Sequence, residues 1–569
     1  MRVLNRFLLR LAGAVMFLHC PAVAAVEAAD VVIINARAFS ADRPSRFPDA
    51  VAIRGNRIQA VGTANDIAPL RGDATQVIDA HGATVMPGFN DAHVHFLSGS
   101  LALGWVQLLD AETLEQIQHK IRNFAATHPD QPWVLGRGWL YGAFAGGLPT
   151  REQLDALIPD RPAVMECYDG HTKWLNTKAL DMARITAATP DPPGGQIVRD
   201  PATGKPTGVL KESAQALIDQ VVPQPSREEK LAALAQGVAL AHRLGVTSVQ
   251  EAGVDAEELE LFDVLRQAGQ LQLRMYVALS AAPGFSAADL KQLETLRHQY
   301  PDSDTLKLGA VKLYADGVVE SHTAAMLAPY ANRETLGNPE FSPGEMNRIV
   351  KLLDGRGWQI WIHAIGDGGI RMALAAIESA QQSNPAPARG RRHRLEHIEA
   401  ISAEDIPGFA RLGVIASMQP FHASPNQNIR DVWAVNLGPE RAARAWSWKA
   451  IKDTGGRIAF GTDWPVVELD PRPGLHTALT RKTAAGLPAG GFVPSQRLSL
   501  HEVFAAYTSG AAYAAFDEAR VGMLAPGQLA DIVIWSADLF ALPAEQVKDA
   551  EVRMNLFDGR IVFSEEPES

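Results

Sequence analysis

The sequence predicts an α/β chain: a TIM-like (β/α)8 barrel with a small β-sandwich domain built from both termini and an inserted α+β subdomain. Three observations carry this. Short apolar strands alternate with helical stretches through the middle of the chain, the pattern of a parallel barrel. Strands of a different kind, joined by tight turns, lie at both ends. The 569 residues exceed what one hydrophobic core usually serves.

At the N-terminus, Arg2, Arg6 and Arg10 precede the apolar run Leu11 to Leu18, and Pro21-Ala22-Val23-Ala24-Ala25 follows. Positive charge, short apolar core and small-x-small site read as a secretory signal over residues 1–24. The run is short for a membrane span, although an uncleaved anchor is the alternative. His19 before Cys20 is a poor fit to a lipid-anchor site, and no Arg-Arg pair marks a twin-arginine route. The protein is therefore expected to be exported, periplasmic or secreted, and off the membrane once the signal is removed. The mature chain keeps only Cys167, so it holds no internal disulfide. A buried small hydrophobe is the expected role of Cys167, with a thiol nucleophile as the sharper alternative.

Residues 29–85 form the first part of the β-sandwich, with strands at Asp30 to Ala36, Val51 to Gly62 and Gln76 to Ala80. Gly55-Asn56 marks a hairpin within it. Residues 516–569 complete it with Ala530 to Trp535 and Val552 to Phe563, the latter turning at Asp558-Gly559. The barrel occupies residues 86–515. Its eight strands are Val85 to His95, Val246 to Ala252, Leu273 to Leu279, Leu308 to Tyr314, Gln359 to His363, His393 to His397, Val414 to Met418 and Arg457 to Asp463. About 150 residues separate the first two strands, far beyond an ordinary loop, so residues 101–225 carry an inserted subdomain.

Barrel enzymes place their chemistry at the C-terminal ends of the strands. The polar residues there are His93 and His95 on the first, Lys312 on the fourth, His363 on the fifth, His397 on the sixth and Asp463 on the eighth. Two imidazoles two residues apart on a strand face the same way and can share one metal ion. Each residue has a plain alternative: a structural histidine, a Lys312–Asp316 pair, or Asp463 as a cap. Six of them at strand ends point jointly to a metal site. Gly366-Asp367-Gly368-Gly369 lacks the Lys-Ser or Lys-Thr of a phosphate loop and reads as a turn into a helix. The net charge of −11 leaves no basic footprint and argues against nucleic acid.

The wording around these residues resembles the third amidohydrolase family, its YtcJ-like branch. The motifs are Pro87-Gly88-Phe89-Asn90-Asp91-Ala92-His93-Val94-His95, Asp169-Gly170-His171-Thr172-Lys173-Trp174-Leu175-Asn176, Val311-Lys312-Leu313-Tyr314-Ala315-Asp316-Gly317, His363-Ala364-Ile365-Gly366-Asp367, Glu396-His397 and Gly461-Thr462-Asp463-Trp464-Pro465. The resemblance implies that His93, His95 and Asp463 hold one metal and His363 and His397 a second. Lys312, carboxylated to a carbamate, would bridge them. Zinc suits this donor set best, with manganese or iron as alternatives. Asp463 would be the general base for water activated between the metals.

The implied reaction is hydrolysis of a C–N bond in an amide, N-acyl, formamide or cyclic amide small molecule. Alternatives are a mononuclear deaminase, an ester or carbamate hydrolase on the same site, and a secreted binding protein without activity. Trp139, Tyr141, His171, Trp174 and Asn176 in the insert, and Trp464 beside Asp463, are the candidate pocket residues. Family members often carry Gly-Ser-x-Gly-Ser-Arg after the fourth strand. Here Val318-Val319-Glu320-Ser321-His322 stands instead, which makes His322 a further candidate contact. A homodimer is left open.

Overall fold

The computed structural model describes residues 27–42 and 47–565. The signal segment lies outside the described residues. Among the described residues no helix is long and apolar enough to cross a membrane.

Eight parallel strands form the central sheet in chain order: Phe89–Val94, Val246–Val254, Arg274–Ser280, Leu306–Tyr314, Gln359–Ala364, Arg394–His397, Ile415–Met418 and Arg457–Phe460. They are near-continuous apolar runs because both faces are covered. The sheet curls until its ends meet. The Asp463 amide donates to the His93 carbonyl at 2.7 Å and the His95 amide to the Trp464 carbonyl at 2.6 Å, and Val94 bridges Trp464 in parallel.

The first strand departs from the sequence reading. Val85 to His95 is not one strand but two. Thr84–Pro87 pairs with Ile532–Trp535 in the small domain, and the barrel strand starts at Phe89. Gly88 makes the joint. A Cβ there would lie 2.1 Å from Thr247 Oγ1, so only glycine lets the two segments pass so close.

The small domain has two facing sheets. One holds Val31–Ile34, Ala50–Arg54, Arg57–Gly62 and Gln76–Asp79. The other holds Arg37–Ala38, Thr84–Pro87, Ile532–Trp535, Val552–Phe557 and Arg560–Ser564. Turns fall at Gly55-Asn56 and Asp558-Gly559, as the sequence predicts. Ile33, Val51, Ile53, Val85, Ile534 and Leu556 share the core between the sheets. Burying each such side chain contributes about 1.5–3 kcal/mol. Arg274, at the start of the third barrel strand, fastens this domain to the barrel. It binds Asp531 through Nε at 2.6 Å and Nη2 at 2.9 Å, and Asp558 at 2.9 Å.

The insert carries a six-stranded sheet ordered Gly195–Arg199, Pro206–Glu212, Thr172–Leu175, Ala163–Cys167, Val134–Trp139 and Val106–Gln107. Its core contains Trp139, Tyr141, Phe144, Met165 and Trp174. Cys167 is buried there with Sγ donating to the Trp139 carbonyl at 3.3 Å, and burial pushes its thiol pKa up. That is a packing residue, not a nucleophile. Gly366 to Gly369 opens the helix Asp367–Ser383 as a turn.

Candidate metal centre

The barrel strands deliver their polar ends to one cavity of about 110 Å³, lined among others by His95, Lys312, His363, His397, His422 and Asp463. Asp463 Oδ1 lies 3.5 Å from both His93 Nε2 and His95 Nε2, and Oδ2 lies 3.7 Å from His397 Nδ1 and from His422 Nε2. Two ligand groups therefore meet at one carboxylate: His93, His95 and Asp463, and His397, His422 and Asp463. Lys312 Nζ is 3.3 Å from His93 Nε2. His363 closes the ring of imidazoles, its centroid 4.6 Å from that of His397. Its Nε2 lies 3.3 Å from the Gly317 carbonyl oxygen.

Neighbouring side chains fix how these groups point. His93 Nδ1 donates to Glu396 Oε2 at 2.7 Å, leaving Nε2 as the free lone pair. Glu396 is held in turn by Arg394 Nε at 2.6 Å, and the Arg394 guanidinium stacks 3.7 Å over Trp361. His397 Nδ1 faces Gln419 Oε1 at 2.9 Å. Asp91 accepts from the Thr462 amide at 2.9 Å and its hydroxyl at 2.6 Å, which anchors the segment carrying Asp463. Asp316 does not pair with Lys312. It accepts the amides of Ala325, Ile365 and Gly366 and so ties together the loops after strands four and five.

Burial dominates the electrostatics. It pushes the Asp463 carboxyl up to about 7, against the pull of His422 and Lys312. It lowers the Lys312 ammonium to about 8, although Glu396 and Asp463 favour the charge. His93, His363 and His397 are held neutral by burial and by nearby positive groups. Neutral imidazoles, a lysine that readily frees its amine and a carboxylate are the donors a divalent ion takes. Asp463 Oδ1 and His422 Nε2 are buried with no hydrogen-bond partner, which is the cost a bound cation would remove. The residues fit a metal.

The sequence-predicted pocket residues divide. His171 lines the cavity, its Nδ1 donating to Glu212 Oε2 at 2.8 Å. Trp139, Tyr141 and Trp174 do not line it. They point into the core of the insert, where Trp139 Nε1 donates to the Met165 carbonyl, Tyr141 meets the Thr172 hydroxyl and Trp174 Nε1 donates to the Thr150 carbonyl. Asn176 caps the helix Thr177–Met182. His322 turns aside to Asn332 at 3.0 Å and packs on Tyr330. Trp464 lies against Phe96 and lines a neighbouring cavity of about 310 Å³. The loop after strand four does reach the metal cavity, but through Val318 and Glu320.

Sequence reasoning missed His422, Tyr168, Asp169, Glu320 and Glu399, which also line the cavity. His422 had a signal: Gln419-Pro420-Phe421-His422 directly follows the seventh strand.

Comparison with known proteins agrees with this fold. A model described as "Amidohydrolase family" matches residues 76–563. The putative amidohydrolase YtcJ of Bacillus subtilis (strain 168) is 29% identical over 90% of this chain and 96% of its own. An N-substituted formamide deformylase of Arthrobacter pascens is 27% identical over 93% of this chain and 97% of its own. A solved metal-dependent hydrolase of Pyrococcus horikoshii OT3 shares the fold, with a TM-score of 0.70 and 23% identity over 90% of this chain and 99% of that one. Since the matched span runs from the small domain through every barrel strand and back again, this chain belongs to the amidohydrolase family.

Proposed function

We propose that the protein is a metal-dependent hydrolase of a C–N bond in an amide, N-acyl, formamide or cyclic amide small molecule, with Asp463 as general base. The observation that carries this is the Asp463 carboxylate. It stands between two groups of imidazoles with Oδ1 buried and bonded to no protein donor. A relative named for removing formyl groups from substituted amines supports the bond class.

His93, His95 and Asp463 would hold one ion, and His363 and His397 a second, with carboxylated Lys312 between them. Zinc is the expected metal. When bound, the pair supplies a Lewis-acid clamp on the scissile carbonyl oxygen and lowers the pKa of water. The chain's own residues do the rest. Asp463, through Oδ2 rather than the Oδ1 that faces His93 and His95, takes a proton from water as the water oxygen attacks the carbonyl carbon. It returns that proton to the nitrogen as the C–N bond breaks. Glu396 and Arg394 keep His93 Nε2 turned inward. The insert walls the cavity with Tyr168, Asp169 and His171. We further propose an exported protein, on the strength of the N-terminal Arg-rich and apolar pattern alone.

The test is elemental analysis of the purified protein together with a screen of N-formyl and N-acyl amines. Two zinc equivalents and amine release are expected. One equivalent with ammonia release from amino-heterocycles would instead establish the mononuclear deaminase. No metal after metal-replete expression and no turnover would leave a binding protein.

A further inference from the structure

Arg137 lies on the insert strand Val134–Trp139, where the pairing is bulged: Arg137 stands opposite Glu166 and Trp139 opposite Cys167, with Gly138 left over between them. Arg137 is only 5% exposed, and it lines the cavity of about 310 Å³ beside the metal centre. Its hydrogen-bonding capacity is largely unspent. A guanidinium carries five N–H donors. Among the described residues Arg137 makes one side-chain hydrogen bond, from Nη2 to the Tyr168 carbonyl at 3.4 Å, and no ion pair. Glu166, its register partner, lines a separate cavity together with Lys173. Burial lowers the Arg137 pKa, but Glu166 and Asp463 favour the charge, and arginine keeps its proton. What Arg137 lacks is therefore not charge balance but acceptors for its N–H groups. Buried donors left unbonded are costly.

The cavity it faces is an independent observation. Leu103, Leu109, Leu240, Leu244, Trp464 and Leu469 give it apolar walls. The carboxylates on the same walls are engaged elsewhere or face water: Asp110 pairs with Lys120 at 2.7 Å, Asp470 with Arg472 at 2.6 Å, and Glu468 is exposed. An apolar chamber with one unspent guanidinium matches an apolar body that ends in a carboxylate, whose two oxygens take the parallel N–H groups of the fork. We propose that this cavity is a binding site for a small monocarboxylic acid with an aryl or alkyl body, its carboxylate on Arg137 and its body against Leu240, Leu244 and Trp464. The site is distinct from the metal cavity, since the two linings share no residue, and it does not depend on the reading of that cavity as a hydrolase site. Trp464 nevertheless joins the two through the chain, as the residue directly after Asp463.

The test is a binding measurement that needs no turnover. Hydrocinnamate and its neutral counterpart, hydrocinnamyl alcohol, are titrated calorimetrically into the zinc-loaded protein near neutral pH. Neither contains a C–N bond. The acid is expected to bind about tenfold more tightly than the alcohol, or better, and Arg137→Gln is expected to remove that preference. Leu103→Trp, at an exposed position on the wall, is expected to fill the cavity and weaken both probes about tenfold with Arg137 left in place. Zinc is counted in each variant, because a carboxylate can also bind the metal. Equal binding of acid and alcohol overturns the proposal. So does acid binding that is unchanged in either variant, or that is lost only together with zinc, since each places the carboxylate on the metal. Should Arg137→Gln fail to fold, Leu103→Trp decides the matter by the same criterion.

Discussion

Asp463 and His397 both have backbone φ angles in the left-handed region, at +66° and +73°. Side chains other than glycine rarely adopt it, and such strain persists where the surroundings over-determine the geometry. Here the surroundings are the Asp91–Thr462 latch and the strand pairing of Ala364 with His397. The strain turns Asp463 into the cavity. Asp463→Asn is expected to lower kcat by about 10²–10⁴-fold while the melting temperature holds, measured on the best substrate from the screen; near-wild-type turnover would remove the general base. Lys312→Ala is expected to hold one zinc equivalent or less by elemental analysis, and two retained ions would refute the bridge. His171 allows a pH test. Burial opposes its charge, but the Glu212 carboxylate outweighs burial and raises its pKa to about 9. A raised pKa means that charged His171 stabilises the fold fully below about pH 6.5 and that this contribution is lost as pH rises through about 9. Glu212→Gln should therefore cost on the order of 1–2 kcal/mol at about pH 6 and almost nothing at about pH 10, by urea unfolding. A deficit equal at both pH values would contradict the ion pair.

At the scale of elements, the barrel was legible because buried parallel strands are apolar almost throughout, so a histidine or lysine at a strand end stands out. His93, Lys312, His363 and Asp463 were visible for that reason. His422 was obscured because it follows a proline in a short 3-10 turn, beyond the strand proper. The aromatic residues of the insert misled because strand parity is not readable from one sequence. Trp139 and Trp174 suit a pocket wall as well as a core until the register of the six-stranded sheet is known. That Asp169, Glu320 and Glu399 share one cavity was not legible, since they come from the insert and two separate barrel loops. Val85 to His95 read as one strand because nothing in its apolar run reveals that Gly88 hands the chain from one sheet to another. The end of the eighth strand invites a test. A Cβ on Gly461 would lie 2.5 Å from the His93 amide nitrogen and 2.6 Å from Asp91 Oδ1. Gly461→Ala is expected to cost about 1–3 kcal/mol in thermal or urea unfolding and to reduce zinc occupancy as Asp463 shifts. Full zinc occupancy would show that the Asp91 latch does not position the carboxylate.

At the scale of the molecule, Arg274 is a buried link between barrel and small domain, 4% exposed and packed 4.8 Å from the Phe557 ring. Removing one partner of such a pair leaves the other charge buried. Arg274→Ala is expected to cost about 3–5 kcal/mol, whereas Arg274→Ala combined with Asp531→Ala should recover part of that loss. The double-mutant cycle by chemical denaturation checks it, and strictly additive losses would mean that the pair carries no coupling.

The two-ended construction of the small domain has a consequence for biosynthesis. On the ribosome, Thr84–Pro87 emerges hundreds of residues before its partner Ile532–Trp535. Until the last segment is released, that strand has an open edge and half of Ile33, Val51 and Val85 lacks the surface that covers it. The barrel can assemble in chain order, but the domain that clasps it cannot close before translation ends. The finished fold is thus a proofreading step for length: a nascent chain cut short between Asp463 and Ile532 retains the complete set of candidate metal ligands and yet lacks the clasp, and it is left with sticky strand edges that expose it to proteolysis and aggregation.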